Sequence, residues 1–370
     1  MKKFIVTAML VALASPAFAQ IGGLGGALKK AADKKKEIDD IRVDDAEERQ
    51  IGEQVSAEIR KRFGVVQDPA IHKYVTLVGT ALTQQTDRPN LQWTFIVLDT
   101  DGVNAFASPG GLVHITRGAL GLIKNEAELA NVLGHEIAHV TRKHTVNAIQ
   151  KNKAIGAGIN QAAGGRSELL KKMADQAYSQ IIENAFDRGD ELDADKVGIQ
   201  MAQKVGYAAA LPDFLERLDA RNKDSAERNG LFASHPDTKE RIDKGRQIGA
   251  AGKTAALVEA RYKGTVKYEA PALTSIAVVQ EGSAGLAGSG GKASAKKDDE
   301  EKKEEPKKRG FGLNALKGGT GQEKQSTQVS ASGGARGLGA DRAAKGGGNP
   351  ALVKVTVNAG DVDAFKKGIA

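Results

Sequence analysis

Between residues 44 and 250, apolar side chains recur every three or four positions along most of the chain, a period that predicts a mainly helical domain. Ile51, Val55 and Ile59 mark one helix, ending near Phe63 and Gly64. Asp68 followed by Pro69 predicts an N-cap with proline at the first helical position, and Ile71, Val75, Val78 and Leu82 carry the helix it opens. Arg88, Pro89 and Asn90 break that pattern. Residues 91–98 are rich in aromatic and β-branched side chains and read as a strand. Residues 103–107 and 112–116 read as two more short strands, separated by the turn Pro109-Gly110-Gly111. Helical spacing returns with Leu129, Val132, Leu133, Ile137 and Val140, and Asn125 with Glu128 has the form of a capping-box start. Residues 154–166 are rich in Gly and Ala and read as a loop or weak helix. A mostly helical stretch follows over 169–205, closed by Gly206-Tyr207. Phe214, Leu215 and Leu218 mark a further helix, and Ser234-His235-Pro236 opens one that runs to about Ile248. The expected fold class is α+β: mainly α-helical, with a small antiparallel β-sheet beside the helix that begins at Asn125.

The flanks have another character. Met1-Lys2-Lys3, an apolar run over residues 4–13 and Ala17-Phe18-Ala19 form a secretory signal peptide over residues 1–19, so the mature chain is expected in a bacterial periplasm. No Cys occurs anywhere, which excludes disulfides and a lipid-anchored N-terminal Cys. Residues 20–43 are Gly-rich and then Lys- and Asp-rich, and read as a flexible lead-in. The globular core is bounded at 44–250, and residues 251–280 are expected to form an extended arm or strand pair. Residues 281–349 hold 17 of the 44 Gly, and only two of the 16 aromatic residues, Phe311 and Phe365, lie beyond residue 270. Such a stretch cannot bury enough apolar surface to offset its ordering entropy and is expected to be a disordered tail. Residues 350–370 alternate like a short strand and then read as a short helix. The net charge is +8, or +6 once Lys2 and Lys3 are removed with the signal peptide. That modest basicity is spread among many acids. It reads first as ordinary solvated charge and second as a surface suited to anionic membranes, and no nucleic-acid motif is present.

The chemistry centres on His135-Glu136-Ile137-Ala138-His139. On a helix His135 and His139 lie one turn apart and can hold one ion from one side. Glu136 is rotated away from that ion, as suits a base that activates water. A catalytic zinc wants a third protein ligand. His72, His114, His144, His235 and the carboxylates are the candidates. His144 falls on the opposite side of a continuous helix and is read as a helix-end cation. The acid-rich stretch over 183–195 is the better source. Glu191 and Asp195 stand one turn apart, so one can bind the metal while the other orients a ligand His. Glu183, Asp187, Asp190 and Asp193 compete by spacing alone.

Four segments in order carry a resemblance: Asn104-Ala105-Phe106-Ala107-Ser108-Pro109-Gly110-Gly111, His135-Glu136-Ile137-Ala138-His139-Val140, Glu191-Leu192-Asp193-Ala194-Asp195 and Ser234-His235-Pro236. Residues 44–248 resemble the HtpX and CAAX prenyl protease superfamily of zinc metallopeptidases, most closely its soluble periplasmic BepA-like members. The resemblance implies a zincin-type fold and one Zn2+ per chain held by His135, His139 and Glu191. It implies Glu136 as general base and Asp195 as the group that orients a ligand. It also implies His235 as a fourth ligand or oxyanion donor; read as sequence alone, His235 is equally a helix-start residue. Asn104, Ala105, Phe106 and Ala107 form a candidate edge strand for an extended substrate. The substrates implied are unfolded or misassembled envelope proteins, with outer-membrane assembly as a further contact. The competing expectation is a chaperone-like binding protein with little or gated proteolysis. The Gly- and Lys-rich tail stands where such members carry a helical repeat domain.

Overall fold

Asp44 opens the first helix with a reciprocal cap. Its carboxylate accepts from Glu47 N at 2.8 Å, and Glu47 returns to Asp44 N. The computed structural model describes residues 42–151, 165–182, 184, 186–222, 238–250, 255–270 and 349–369. Those from Val43 onward belong to one unit. The order of elements is α1 (Asp45–Phe63), α2 (Pro69–Thr83), β1 (Thr94–Leu98), β2 (Ala105–Ser108), β3 (Leu112–Thr116), α3 (Arg117–Leu122), α4 (Glu126–Thr141) and α5 (His144–Lys151). It continues with α6 (Gly165–Ile182), α7 (Arg188–Val205), α8 (Leu211–Asn222), α9 (Thr238–Ala250), α10 (Glu259–Thr265) and α11 (Ala359–Lys367). The expected boundary signals act where the sequence places them: Asp68 caps Ala70 N with Pro69 inside α2, and Asn125 Oδ1 accepts from Glu128 N at 2.9 Å.

The sheet has the order β1-β3-β2 and is mixed, not antiparallel. β2 and β3 form the expected hairpin across the Pro109–Gly111 turn, with Phe106 opposite His114. β1 runs parallel to β3, with Ile96 opposite His114. The reason lies in the connection from β1. Residues 99–104 carry the chain past the centre to the far edge, so the returning β3 fills the middle. β2 is left as an edge strand in the ladder, although each of its residues is buried.

Helix α4, which carries His135 and His139, is buried along almost its whole length and packs on α7. A pair of glycines sets the spacing. A Cβ on Gly134 would lie 2.8 Å from Gly198 O, and one on Gly198 would lie 2.6 Å from His135 N. Any side chain at either position would push the two helices apart. The core beneath is aliphatic, with Leu133, Ile137, Ile199 and Ala202 fully buried.

Two expectations for the flanks change. Within 251–280, no strand pair is present among the described residues. Glu259–Thr265 is a helix, and Ala256 makes one isolated bridge to Tyr207. Tyr262 drives that outcome: its ring is buried and its hydroxyl donates to Leu120 O at 2.5 Å. The chain end docks on its own domain. Val65 N donates to Asn349 O at 2.7 Å, and residues 350–358 form no ladder with the described residues. α11 then buries Val362 and Phe365. Arg261 lies 4.0 Å over the Phe365 ring, donates to Phe365 O at 3.0 Å and pairs with the buried Glu126 at the start of α4. The expected signal peptide, most of the lead-in over 20–43 and the tail over 281–348 lie outside the described residues, as does His235.

Candidate metal centre

His135 and His139 project from adjacent turns of α4, and Glu191 from the first turn of α7 faces them. One donor atom from each of the three lies within 4.8 Å of the others, and all three residues are buried. His139 Nε2 is 3.0 Å from His135 Nε2, and the Glu191 carboxylate oxygens lie 3.6 Å from His135 Nε2 and 3.4 Å from His139 Nε2. Ligands at roughly 2.0–2.1 Å around a tetrahedral zinc are separated by roughly 3.3 Å, so the triangle has the size of one tetrahedral face. Two imidazole nitrogens and one carboxylate oxygen also match the donor chemistry of that ion.

Electrostatics point the same way. Asp195 and Glu191 are both buried, and one buried cation, Arg241, serves both. Arg241 Nε and Nη2 each lie 2.7 Å from an Asp195 oxygen, and Nη1 lies 2.9 Å from Glu191 Oε2. Two carboxylates against one guanidinium leave a net negative charge in a dry site, which a divalent cation reverses. Burial works to raise the Asp195 pKa, but the Arg241 charge and the hydrogen bonds from Arg241 and His135 outweigh it and hold the carboxyl below its ordinary value. Burial pushes Glu136 up to about 7, with Glu191 and Asp195 adding and His139 and Arg241 opposing.

Both imidazoles are oriented from behind. His135 Nδ1 lies 2.8 Å from Asp195 Oδ1, which fixes the proton there and leaves the Nε2 lone pair toward the metal position. His139 Nδ1 lies 3.0 Å from His144 Nδ1, and the Phe186 ring covers His139 at a centroid distance of 4.2 Å. His144 is therefore no helix-end cation. Burial, with the His139 and His135 charges adding, pushes it down to about 3, and it starts a helix rather than ending one. The spacing argument assumed one continuous helix. α4 instead stops at Thr141, Lys143 adopts a left-handed φ of 56°, and α5 begins anew at His144.

His72 and His114 take no part. His72 Nε2 bonds Val66 O at 2.8 Å, and His114 Nε2 bonds Ser56 Oγ at 2.8 Å inside the sheet. Among the competing acids, Asp190 and Asp193 lie 3.7 Å from His144 Nε2, on the outer side of that ring. Sequence reasoning missed Arg241, His144, Phe186 and the Gly134–Gly198 crossing. Only Arg241 had a usable signal: two acids proposed for one buried site require a buried cation.

The model of Peptidase family M48 matches residues 69–248, which contain the triangle, Glu136, Asp195 and Arg241. This stretch of the chain belongs to peptidase family M48. Over 255 residues the chain is 26% identical to the beta-barrel assembly-enhancing protease of Escherichia coli (strain K12), covering 65% of this chain and 50% of that protein. It is 27% identical over 201 residues to the mitochondrial metalloendopeptidase OMA1 of Schizosaccharomyces pombe, covering 53% of this chain and 59% of the relative. It is 29% identical over 158 residues to the metalloprotease YcaL of Escherichia coli (strain K12), covering 42% and 61%. The chain spans half the length of the beta-barrel assembly-enhancing protease it matches. Among the described residues, no helix is long and apolar enough to cross a membrane.

Proposed function

We propose that this chain is a zinc-dependent endopeptidase that acts in the periplasm on unfolded or misassembled envelope proteins. The observation that carries the reading is the triangle of His135, His139 and Glu191, with edges of 3.0, 3.4 and 3.6 Å, beside Glu136 on the next helical position. Zinc bound there supplies Lewis-acid chemistry, lowering the pKa of water and polarising a peptide carbonyl. Glu136 takes a proton from the attacking water and hands it to the leaving amine. Asp195 and Arg241 hold His135 and Glu191 in position. An extended substrate would lie along Asn104, Ala105, Phe106 and Ala107, paired through its backbone and read with little regard to side chains. His235 would approach the metal as a fourth ligand or donate to the oxyanion.

The relatives' printed names support the substrate class: one enhances β-barrel assembly, and all three are proteases. The signal-peptide pattern over residues 1–19 supports the periplasm. The charge of the mature chain suits an anionic membrane surface nearby.

Zinc content and casein cleavage, measured on purified residues 20–370 and on the Glu136→Gln variant, test the reading. Both proteins should hold one zinc, and the variant should cleave roughly 10²–10⁴-fold more slowly. Absence of zinc from the native protein would sink the proposal. Zinc with no cleavage, together with tight binding of unfolded casein, would replace it with the chaperone-like role.

A further inference from the structure

His144 is buried against His139, with its Nδ1 3.0 Å from the ring nitrogen of His139 that points away from the metal position. We propose that His144 is the positioning residue of His139, a neutral acceptor that fixes which nitrogen of His139 faces the metal. The inference rests on the metal-centre reading and concerns only how its second imidazole is held.

The hydrogen-bond polarity has one consistent solution. His139 Nε2 belongs to the triangle and must present a lone pair, so its proton sits on Nδ1. That Nδ1 lies 3.0 Å from His144 Nδ1, which must then accept. A neutral ring that accepts on Nδ1 carries its proton on Nε2. His144 Nε2 faces Asp190 Oδ1 and Asp193 Oδ2, each 3.7 Å away, a separation that one water can bridge. With the other His144 tautomer, two N–H groups would face each other at 3.0 Å. The two acids, outside the metal triangle, thereby select the His144 tautomer, and His144 selects that of His139.

The packing agrees. His139 and His144 meet edge to face, with centroids 4.9 Å apart and planes at 78°, and the Phe186 ring lies tilted against both. The Lys143 turn exists at a conformational cost and delivers His144 to this place. Its ammonium is tied to Asp45 and to the buried Glu48, at 3.1 and 2.9 Å. Asn147 N donates to Lys143 O at 2.8 Å, which ties the turn to the first turn of α5.

The test compares His144→Phe, which keeps a ring and loses the acceptor, with His144→Asn, whose side-chain oxygen can stand where Nδ1 stood. Zinc affinity is measured by competition with a chelator, and kcat and KM on casein at saturating zinc. His144→Phe should bind zinc roughly 10–100-fold more weakly, with a lower kcat and an unchanged KM, and His144→Asn should recover most of the affinity. In the cobalt-loaded protein the visible spectrum should shift for Phe and return for Asn. A folded His144→Phe with native zinc affinity overturns the proposal, as does an equal loss in both variants. If His144→Phe fails to fold, Asp190→Asn combined with Asp193→Asn tests the same relay from the surface. It should weaken zinc by roughly two- to five-fold, and no change overturns the proposal. A native protein that binds no zinc defeats the metal-centre reading instead, so the two failures are distinct.

Discussion

His135 and His139 leave the same helix one turn apart, and each is held from behind, but by different means. Behind His135 stands a carboxylate, and behind that a guanidinium whose nitrogens reach Asp195 at 2.7 Å and Glu191 at 2.9 Å. Behind His139 stands a second imidazole, with an aromatic ring against its face. The His135 side is a buried charge cluster, costly to assemble and more costly to break. The His139 side keeps its two acids, Asp190 and Asp193, part-exposed beyond His144, and works through tautomer and shape. Stability of the metal-free protein and attraction for a dication should therefore come mainly from the first side. The second should govern orientation.

The sharpest way to break this contrast is Arg241→Leu. Removing the guanidinium leaves Asp195 and Glu191 buried together without their cation. The metal-free protein should lose about 3–5 kcal/mol of stability, measured by urea unfolding, and added zinc should restore part of it. A loss under about 1 kcal/mol would mean that the site rehydrates, and that the His135 side is not the buried cluster described.

Asp195→Asn is next in size. The amide offers one oxygen where the carboxylate offered two. Arg241 claims that oxygen, so the NH2 group turns toward His135 and forces its proton onto Nε2, the nitrogen that must bind metal. Zinc affinity should fall by roughly 10–100-fold and further than in His144→Phe, because charge and tautomer are lost together. Chelator competition on the two variants side by side gives the ranking, and a smaller loss in Asp195→Asn would reverse the contrast.

These predictions concern parts that differ in how readable they were. The helix with His135 and His139, the Glu191–Asp195 turn and the β2–β3 hairpin were visible because each is local, fixed by a period or a turn within a few residues. The parallel β1–β3 pair was not, because residues 99–104 could equally have led to a neighbouring antiparallel strand. Arg241 meets Asp195 across 46 residues, and nothing in its own helix announces that contact. His144 was misplaced for a more specific reason. Helix breaks at a left-handed residue are sought at glycine, and this one sits on a lysine. The docked end of the chain, Val362 and Phe365, was legible as a helix but not as part of the core it completes.

The two sides should also separate by pH in the metal-free protein. Asp195 is held below its ordinary 3.8, so its contribution is complete above that value and is lost only as pH falls through the lower folded value. Burial first, then its histidine neighbours, takes His144 from 6.5 down to about 3. The unfolded chain binds that proton below about pH 6.5 and the folded chain does not until about pH 3. Stability is therefore complete above 6.5 and falls progressively as pH drops toward 3. His114, at about 3 through burial, and His135, at about 4 through burial, add the same trend, while Glu136, raised by burial to about 7, opposes it over this range. Urea unfolding at pH 7 and pH 5 should show a loss on acidification in the native protein. The loss should shrink by close to one proton in His144→Asn and stay unchanged in Asp195→Asn. An unchanged loss in His144→Asn would show that this ring titrates alike in both states.

The smallest effect tests the turn that makes the two sides different. Lys143 has a φ of 56°, a conformation that costs a residue with a Cβ about 1 kcal/mol and costs glycine almost nothing. Its Nζ contacts Asp45 and Glu48, while Glu48 also keeps two bonds from Arg88 and one from Gly110 N. Lys143→Gly and Lys143→Ala lose the same ion pairs, so the difference between them isolates the backbone. Lys143→Ala should be less stable by about 1 kcal/mol in urea unfolding. The alanine can also escape its strain by continuing α4, which would carry His144 away from His139. Zinc affinity should then fall in Lys143→Ala and hold in Lys143→Gly. Equal stability and equal zinc binding in the two variants would mean that the reversal costs nothing, and that His144 reaches His139 without being directed there by the turn.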